Sequence, residues 1–192
     1  FVAQDKGYAF YEKDIAVAGA EDNTSLSFAG ATFNGDLYSE NETGFIKSGT
    51  FSEGVDLAYV ADGQKVGVKP DGGMEVADEI SGEGYDAIYS VSSDDSAPTT
   101  ATVYTADALN DAVNAGVNVV LGGDIKANVV IPEGKTVTLD LNGYTLTNDG
   151  DHTIINYGTL TVEDSSTGEP GKVDNVTHGK GALVNYGVAT LT

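Results

Sequence analysis

The chain has 192 residues, with 30 Asp and Glu against nine basic residues, all of them Lys, and a formal net charge of −21. Such a surface repels nucleic-acid phosphates and anionic lipid, which sets both aside as partners. No run of about 18 apolar residues is present, so no membrane span is expected. Cys is absent and Gly is abundant, at 25 residues. With Thr, Val, Asn and Asp also frequent, the composition favours strands and tight turns over helices. The chain opens on Phe1-Val2-Ala3, without Met or a leader-like segment, and is expected to be a piece of a longer protein.

The first half yields a few strand signals. Ala31-Thr32-Phe33-Asn34-Gly35 and Gly49-Thr50-Phe51-Ser52-Glu53-Gly54 resemble each other at an offset of 18, consistent with two stacked coils. Val66 to Val76 reads as a hairpin about Pro70-Asp71-Gly72-Gly73. Ala87 to Val91 is a strand-like patch, and Ser92 to Pro98 reads as a linker. The expected organisation is a β-rich region over 1–78, a linker over 79–102 and a second β domain over 103–192.

One helix is predicted, from Thr105 to Gly116. Thr105 is a capping residue, Asp107 complements the dipole in the first turn, and Gly116 closes the segment. Leu109, Ala112 and Val113 give it one narrow apolar face, too little to stand alone, so it must lie on something. Short strands follow. Val117 to Leu121 is apolar, and Val129 to Ile131 precedes a Pro132-Glu133-Gly134 turn. Thr136 to Leu141 alternates with period two, placing Val137, Leu139 and Leu141 on one face and Asp140 on the opposite, solvated one.

The most informative feature is a repeat. Ile155-Asn156-Tyr157-Gly158-Thr159-Leu160-Thr161 recurs as Val184-Asn185-Tyr186-Gly187-Val188-Ala189-Thr190-Leu191-Thr192, aligned with one added residue after the Gly. Asn156 to Asn185 spans 29 residues. Removing the seven-residue loop Ser165–Gly171 leaves 22, the same as Leu139 to Thr161. Short strands at this period define a solenoid. Asn156 and Asn185 then form a structural ladder at a corner, with side chains bonded along the stack and a tolerance for left-handed backbone. Tyr157 and Tyr186 stack beside them on strands about 4.8 Å apart, as candidate glycan-binding residues.

The strings Val119-Val120-Leu121-Gly122-Gly123-Asp124-Ile125, Leu139-Asp140-Leu141-Asn142-Gly143 and Ile155-Asn156-Tyr157-Gly158, after a short helix, resemble the start of a pectin-lyase-like right-handed parallel β-helix. The resemblance is to domains of large surface proteins of Gram-positive gut bacteria and covers residues 103–192. It implies an all-β fold whose helix caps the first coil, and an extracellular or cell-surface location. Residues 48–76 are similar to the exit of such a β-helix.

Enzymes of that family are chiefly polysaccharide lyases and hydrolases. A lyase of this kind needs cationic groups, and the chain has no Arg. A hydrolase needs closely placed carboxylates, and the only adjacent Asp pair, Asp94-Asp95, lies in the linker. No catalytic residue is assigned. His152 and His178 lack a metal-ligand spacing and are read as exposed turn residues. Glu21-Asp22-Asn23 and Asn148-Asp149-Gly150-Asp151 carry oxygen ligands but no EF-hand pattern, so no metal or cofactor is assigned, with Ca2+ the one ion to consider. Asn23, Asn41 and Asn175 lie in chance glycosylation sequons.

The reading is a non-catalytic structural or adhesive module, with a carbohydrate-active β-helix fragment or a glycan-binding module as alternatives. Its partners would be a glycan, a host or cell-surface protein, or a second copy. Val188 to Thr192 resembles an interior strand with no polar cap after it, so continuation into further coils or self-association is expected.

Overall fold

The structure is a computed structural model that describes residues 8–12, 27–40, 43–94 and 99–192. It divides into two compact units, one ending at Pro98 and one starting at Thr99. The Glu21-Asp22-Asn23 string, the sequons at Asn23 and Asn41, and Asp95 lie outside the described residues.

In the first unit the strands are β1 (Tyr8–Glu12), β2 (Ala31–Phe33), β3 (Asp36–Ser39), β4 (Gly49–Phe51), β5 (Lys65–Val68), β6 (Met74–Ala77) and β7 (Ala87–Ser90). The 18-residue echo is a parallel pair: Ala31, Thr32 and Phe33 of β2 face Gly49, Thr50 and Phe51 of β4. Phe33 and Phe51 stack in the core with ring centroids 5.1 Å apart. β1 and β3 also pair in parallel. β5 and β6 form the expected antiparallel hairpin, Val66 facing Val76. Gly72, at φ +86°, supplies the left-handed residue of its turn. β7 adds to the other edge of β5. The core gathers Phe33, Phe45, Ile46, Phe51, Val60, Val66, Val76 and Val91.

The second unit begins with β8 (Thr100–Val103) and the helix α1 (Ala106–Ala115). The 79–102 stretch, expected as a linker, therefore holds the strand Ala87–Ser90 and the start of β8. Nine strands follow: β9 (Asn118–Leu121), β10 (Ile125–Lys126), β11 (Val129–Ile131), β12 (Thr136–Asp140), β13 (Thr145–Asn148), β14 (Ile154–Asn156), β15 (Thr159–Glu163), β16 (Lys172–Asn175) and β17 (Leu183–Asn185). The tenth, β18 (Val188–Leu191), ends the unit. They wind as three strands per coil. β8, β9, β12, β15 and β18 stack in one parallel sheet, β10, β13 and β16 in a second, β11, β14 and β17 in a third. This is a β-solenoid.

Apolar side chains of each sheet line up in register from coil to coil. In the first, Ala101, Val119, Leu139 and Val162 lie in register, followed by Leu191. Ile125, Leu146 and Val173 form the second column, and Val129, Ile154 and Leu183 the third. Full burial of such a side chain, as at Val119, Leu139, Leu146, Val129 and Ile154, contributes about 1.5–3 kcal/mol; Leu191, on the last coil, is exposed.

α1 caps as its sequence predicts. Thr105 Oγ1 accepts from the Ala108 N–H, and Gly116 closes the helix at φ +81°. Ala108, Leu109, Ala112 and Val113 are buried, and the helix packs against β8, β9 and β11.

Two expectations are corrected. The coils have no constant period of 22. Val119 to Leu139 is 20 residues, Leu139 to Val162 is 23 and Val162 to Leu191 is 29. Leu139 thus lies beside Val162, not Thr161. The corners absorb the difference: the register offset grows from 23 at Val162 to 27 at Val173, so four of the seven loop residues are inserted there. Nor is a residue added after Gly187. Thr159 faces Val188, and Leu160 faces Ala189, at the same offset of 29 as Asn156 and Asn185.

Candidate functional site

The corner between β14 and β15 repeats one coil later between β17 and β18. Asn156-Tyr157-Gly158 and Asn185-Tyr186-Gly187 occupy the two copies. Backbone bonds hold one on the other: Tyr186 and Gly187 N–H groups both donate to Asn156 O, at 2.8 and 3.1 Å. The coils approach closely here. A Cβ on Gly187 would meet Gly158 O at 2.1 Å, and one on Gly158 would meet Pro132 O and Lys135 O at 2.4 Å. Only glycine fits both places.

Asn156 is fully buried. Its Nδ2 donates to Asn185 Oδ1 at 2.7 Å and to Val188 O at 2.9 Å, while its Oδ1 accepts from Gly158 N–H at 3.1 Å. Asn185 Nδ2 donates to Gly187 O. The two asparagines are joined as a ladder, and neither uses the left-handed backbone that the sequence suggested for them. Among the described residues the one non-glycine with positive φ is Asn142, at 48° in the turn after β12.

Tyr157 and Tyr186 stand outside this ladder, 47% and 70% exposed. Their rings stack with centroids 5.2 Å apart and planes 10° from parallel. One face of each ring therefore covers the other. The pair presents ring edges and two outer faces to solvent rather than one broad platform on which a sugar could lie across both rings.

At the corner between the first and second sheets, Asp124, Asp140 and Asp164 of successive coils are engaged by the backbone. Asp140, read from the sequence as outward and solvated, is buried. It sits where β12 ends and the chain turns, and its Oδ1 accepts from the N–H groups of Asn142 and Ser165. Asp124 Oδ1 accepts from Thr145 N–H on the next coil. Asp164 is the most heavily bonded. Its carboxylate accepts from the N–H groups of Gly171 (2.7 Å), Gly143 (2.8 Å) and Ser166, and from the Ser166 hydroxyl (3.0 Å). The Gly171 bond chiefly, with those of Gly143 and Ser166, holds its pKa below the ordinary carboxylate value. Reading the sequence alone missed Asp164; the available signal was an Asp at the mouth of a Ser/Gly/Pro loop, the composition of a side-chain-closed turn.

His152 is half-buried rather than an exposed turn residue. Its Nδ1 accepts from Gly181 N–H at 2.8 Å, and its carbonyl accepts from Asn128 and Asn148 Nδ2. His178 is exposed. Near His152, Asp151 is paired with Lys180 at 2.7 Å, which lowers its pKa. Asn175 donates to Asp151 O and Thr153 Oγ1. Among the described residues no group of three or more His, Asp or Glu is placed to hold a metal ion, and no helix is long and apolar enough to cross a membrane.

Comparison with protein-family models, with curated proteins and with solved structures found no match.

Proposed function

We propose that the chain is a non-catalytic structural or adhesive module of a secreted or cell-surface bacterial protein, with the second unit a right-handed, pectin-lyase-like β-helix. The observation that carries this reading is the use of the corner side chains. Asn156, fully buried, commits its side chain to Asn185, Val188 and Gly158. Asp124, Asp140 and Asp164 likewise accept from backbone N–H groups. Asp164 in particular, whose pKa the Gly171, Gly143 and Ser166 donors lower, is a poor general acid or base near neutral pH. Side chains spent on joining coil to coil make a stiff spacer with an acidic outer surface.

The reading is tested in two arms. The chain is incubated with neutral and acidic polysaccharides, and new reducing ends and unsaturated uronates are measured. No turnover above a heat-unfolded control is expected, and turnover would overturn the non-catalytic role. A glycan array then separates a spacer, which binds nothing, from a module that adheres through sugars.

A further inference from the structure

We propose that Tyr157 and Tyr186 form an oxidative cross-linking site, at which a one-electron oxidant joins two successive coils through a carbon–carbon bond between the rings. Near-parallel rings 5.2 Å apart between centroids are offset-stacked, an arrangement that brings ring carbons of the two residues into van der Waals contact. Both rings are open to a diffusing oxidant, at 47% and 70% exposure. The Asn156–Asn185 bond and the Gly158–Gly187 approach fix the backbone on either side, so the rings meet without a search.

Composition sharpens the case. The chain has no Cys and no Trp, the residues that otherwise drain oxidising equivalents. Its single Met, Met74, belongs to the first unit and has its Sδ 3.3 Å from Val55 N. The net charge of −21 opposes encounter between two copies, which favours coupling within one molecule.

The chemistry balances with persulfate as the terminal oxidant, activated by a photoexcited ruthenium tris(bipyridyl) complex. Each tyrosine gives up one electron and its phenolic proton, forming a phenoxyl radical. The two radicals combine at ring carbons ortho to oxygen. The two ring hydrogens then move to the oxygens, restoring both phenols. Persulfate takes up the two electrons and becomes two sulfates, and two protons are released.

Tyr11 and Tyr38 in the first unit also stack, 5.2 Å apart at 17°, with Tyr8 5.1 Å from Tyr11. They provide an internal comparison. The full chain is irradiated with the ruthenium complex and persulfate at low protein concentration, digested and mapped by mass spectrometry. The expected product is a linked peptide pair containing Tyr157 and Tyr186, lighter by two hydrogens than the separate peptides, from protein that still runs as a monomer. The staple should raise the Tm, since it constrains the unfolded chain as a disulfide does. Tyr157→Phe and Tyr186→Phe should each abolish that pair, and Tyr144→Phe should keep it. Coupling only between molecules, only among Tyr8, Tyr11 and Tyr38, or not at all would overturn the proposal. So would an equal yield of the pair from urea-unfolded chain, because the folded stack would then not direct the reaction.

Discussion

Asn156 Nδ2 donates to Asn185 Oδ1 across 2.7 Å, joining residues 29 positions apart in sequence that face each other in β14 and β17. The bond is asymmetric in burial: Asn156 is fully buried and Asn185 is exposed. Asn156→Ala strands the Gly158 N–H and the Val188 carbonyl, so it should cost about 2 kcal/mol, within the range for orphaned buried polar groups. Asn185→Ala lets water replace the lost partner and should cost less than about 1 kcal/mol. Urea unfolding of the two variants checks the difference.

Leu109 is fully buried on the face that α1 turns to β8, β9 and β11. Leu109→Ala should destabilise the second unit by about 2–5 kcal/mol. Leu109→Asp buries an unpaired charge and should cost at least about 3–5 kcal/mol. Hydrogen exchange at β9 and β11 should accelerate in both variants. Unchanged exchange would mean that the helix does not cap the solenoid.

Asp164 carries a pH dependence of definite sign. Its pKa is lowered from 3.8 in the folded chain, chiefly by the Gly171 N–H. The stability it contributes is therefore fully present above the unfolded pKa, near 4. It is lost as pH falls through the lower folded value. Asp164→Asn should be less stable than the parent chain at neutral pH, and the gap should close in strong acid. Melting curves over an acid series read this directly.

The close approach of coils makes two glycines unequal in consequence. Gly158→Ala drives a methyl group into the carbonyls of Pro132 and Lys135, which are backbone and cannot swing aside. It should cost about 1–3 kcal/mol or more. Gly150→Ala has nothing within 4 Å and should stay within about 0.5 kcal/mol of the parent. Thermal melts of the two variants suffice.

Local patterns carried the legible part of the fold. The caps Thr105 and Gly116 frame the helix, the Pro-Asp-Gly-Gly turn closes the hairpin, and the 18-residue echo places Phe33 on Phe51. Alternation buries Val137, Leu139 and Leu141 as read. The repeated Asn-Tyr-Gly marked the corner. What escaped is what depends on neighbours in space. Asp140 continues the alternation on paper, yet its strand ends there, and its carboxylate finds the N–H of Ser165, 25 residues on. Leu160 and Leu191 look like partners because both are Leu. Register, however, is set by the backbone ladder from Asn185 through Val188, which admits no extra residue. That register gives Leu191 the place of Val162. Asp164 was hidden because it joins two coils: Gly171 closes its own loop, while Gly143 comes from the corresponding turn one coil earlier.

The coil-to-coil register is tested most directly by disulfide trapping, which the absence of native Cys makes clean. Thr161 and Thr190 face each other in β15 and β18. Parallel neighbours lie about 4.8 Å apart, inside the range that a disulfide spans. Thr161→Cys with Thr190→Cys should form an intramolecular disulfide under mild oxidation, seen as a mass loss of two hydrogens. Thr161→Cys with Thr192→Cys, the pair that aligning Leu160 with Leu191 would bring together, should not. Trapping of the second pair in place of the first would contradict the solenoid register described for this chain.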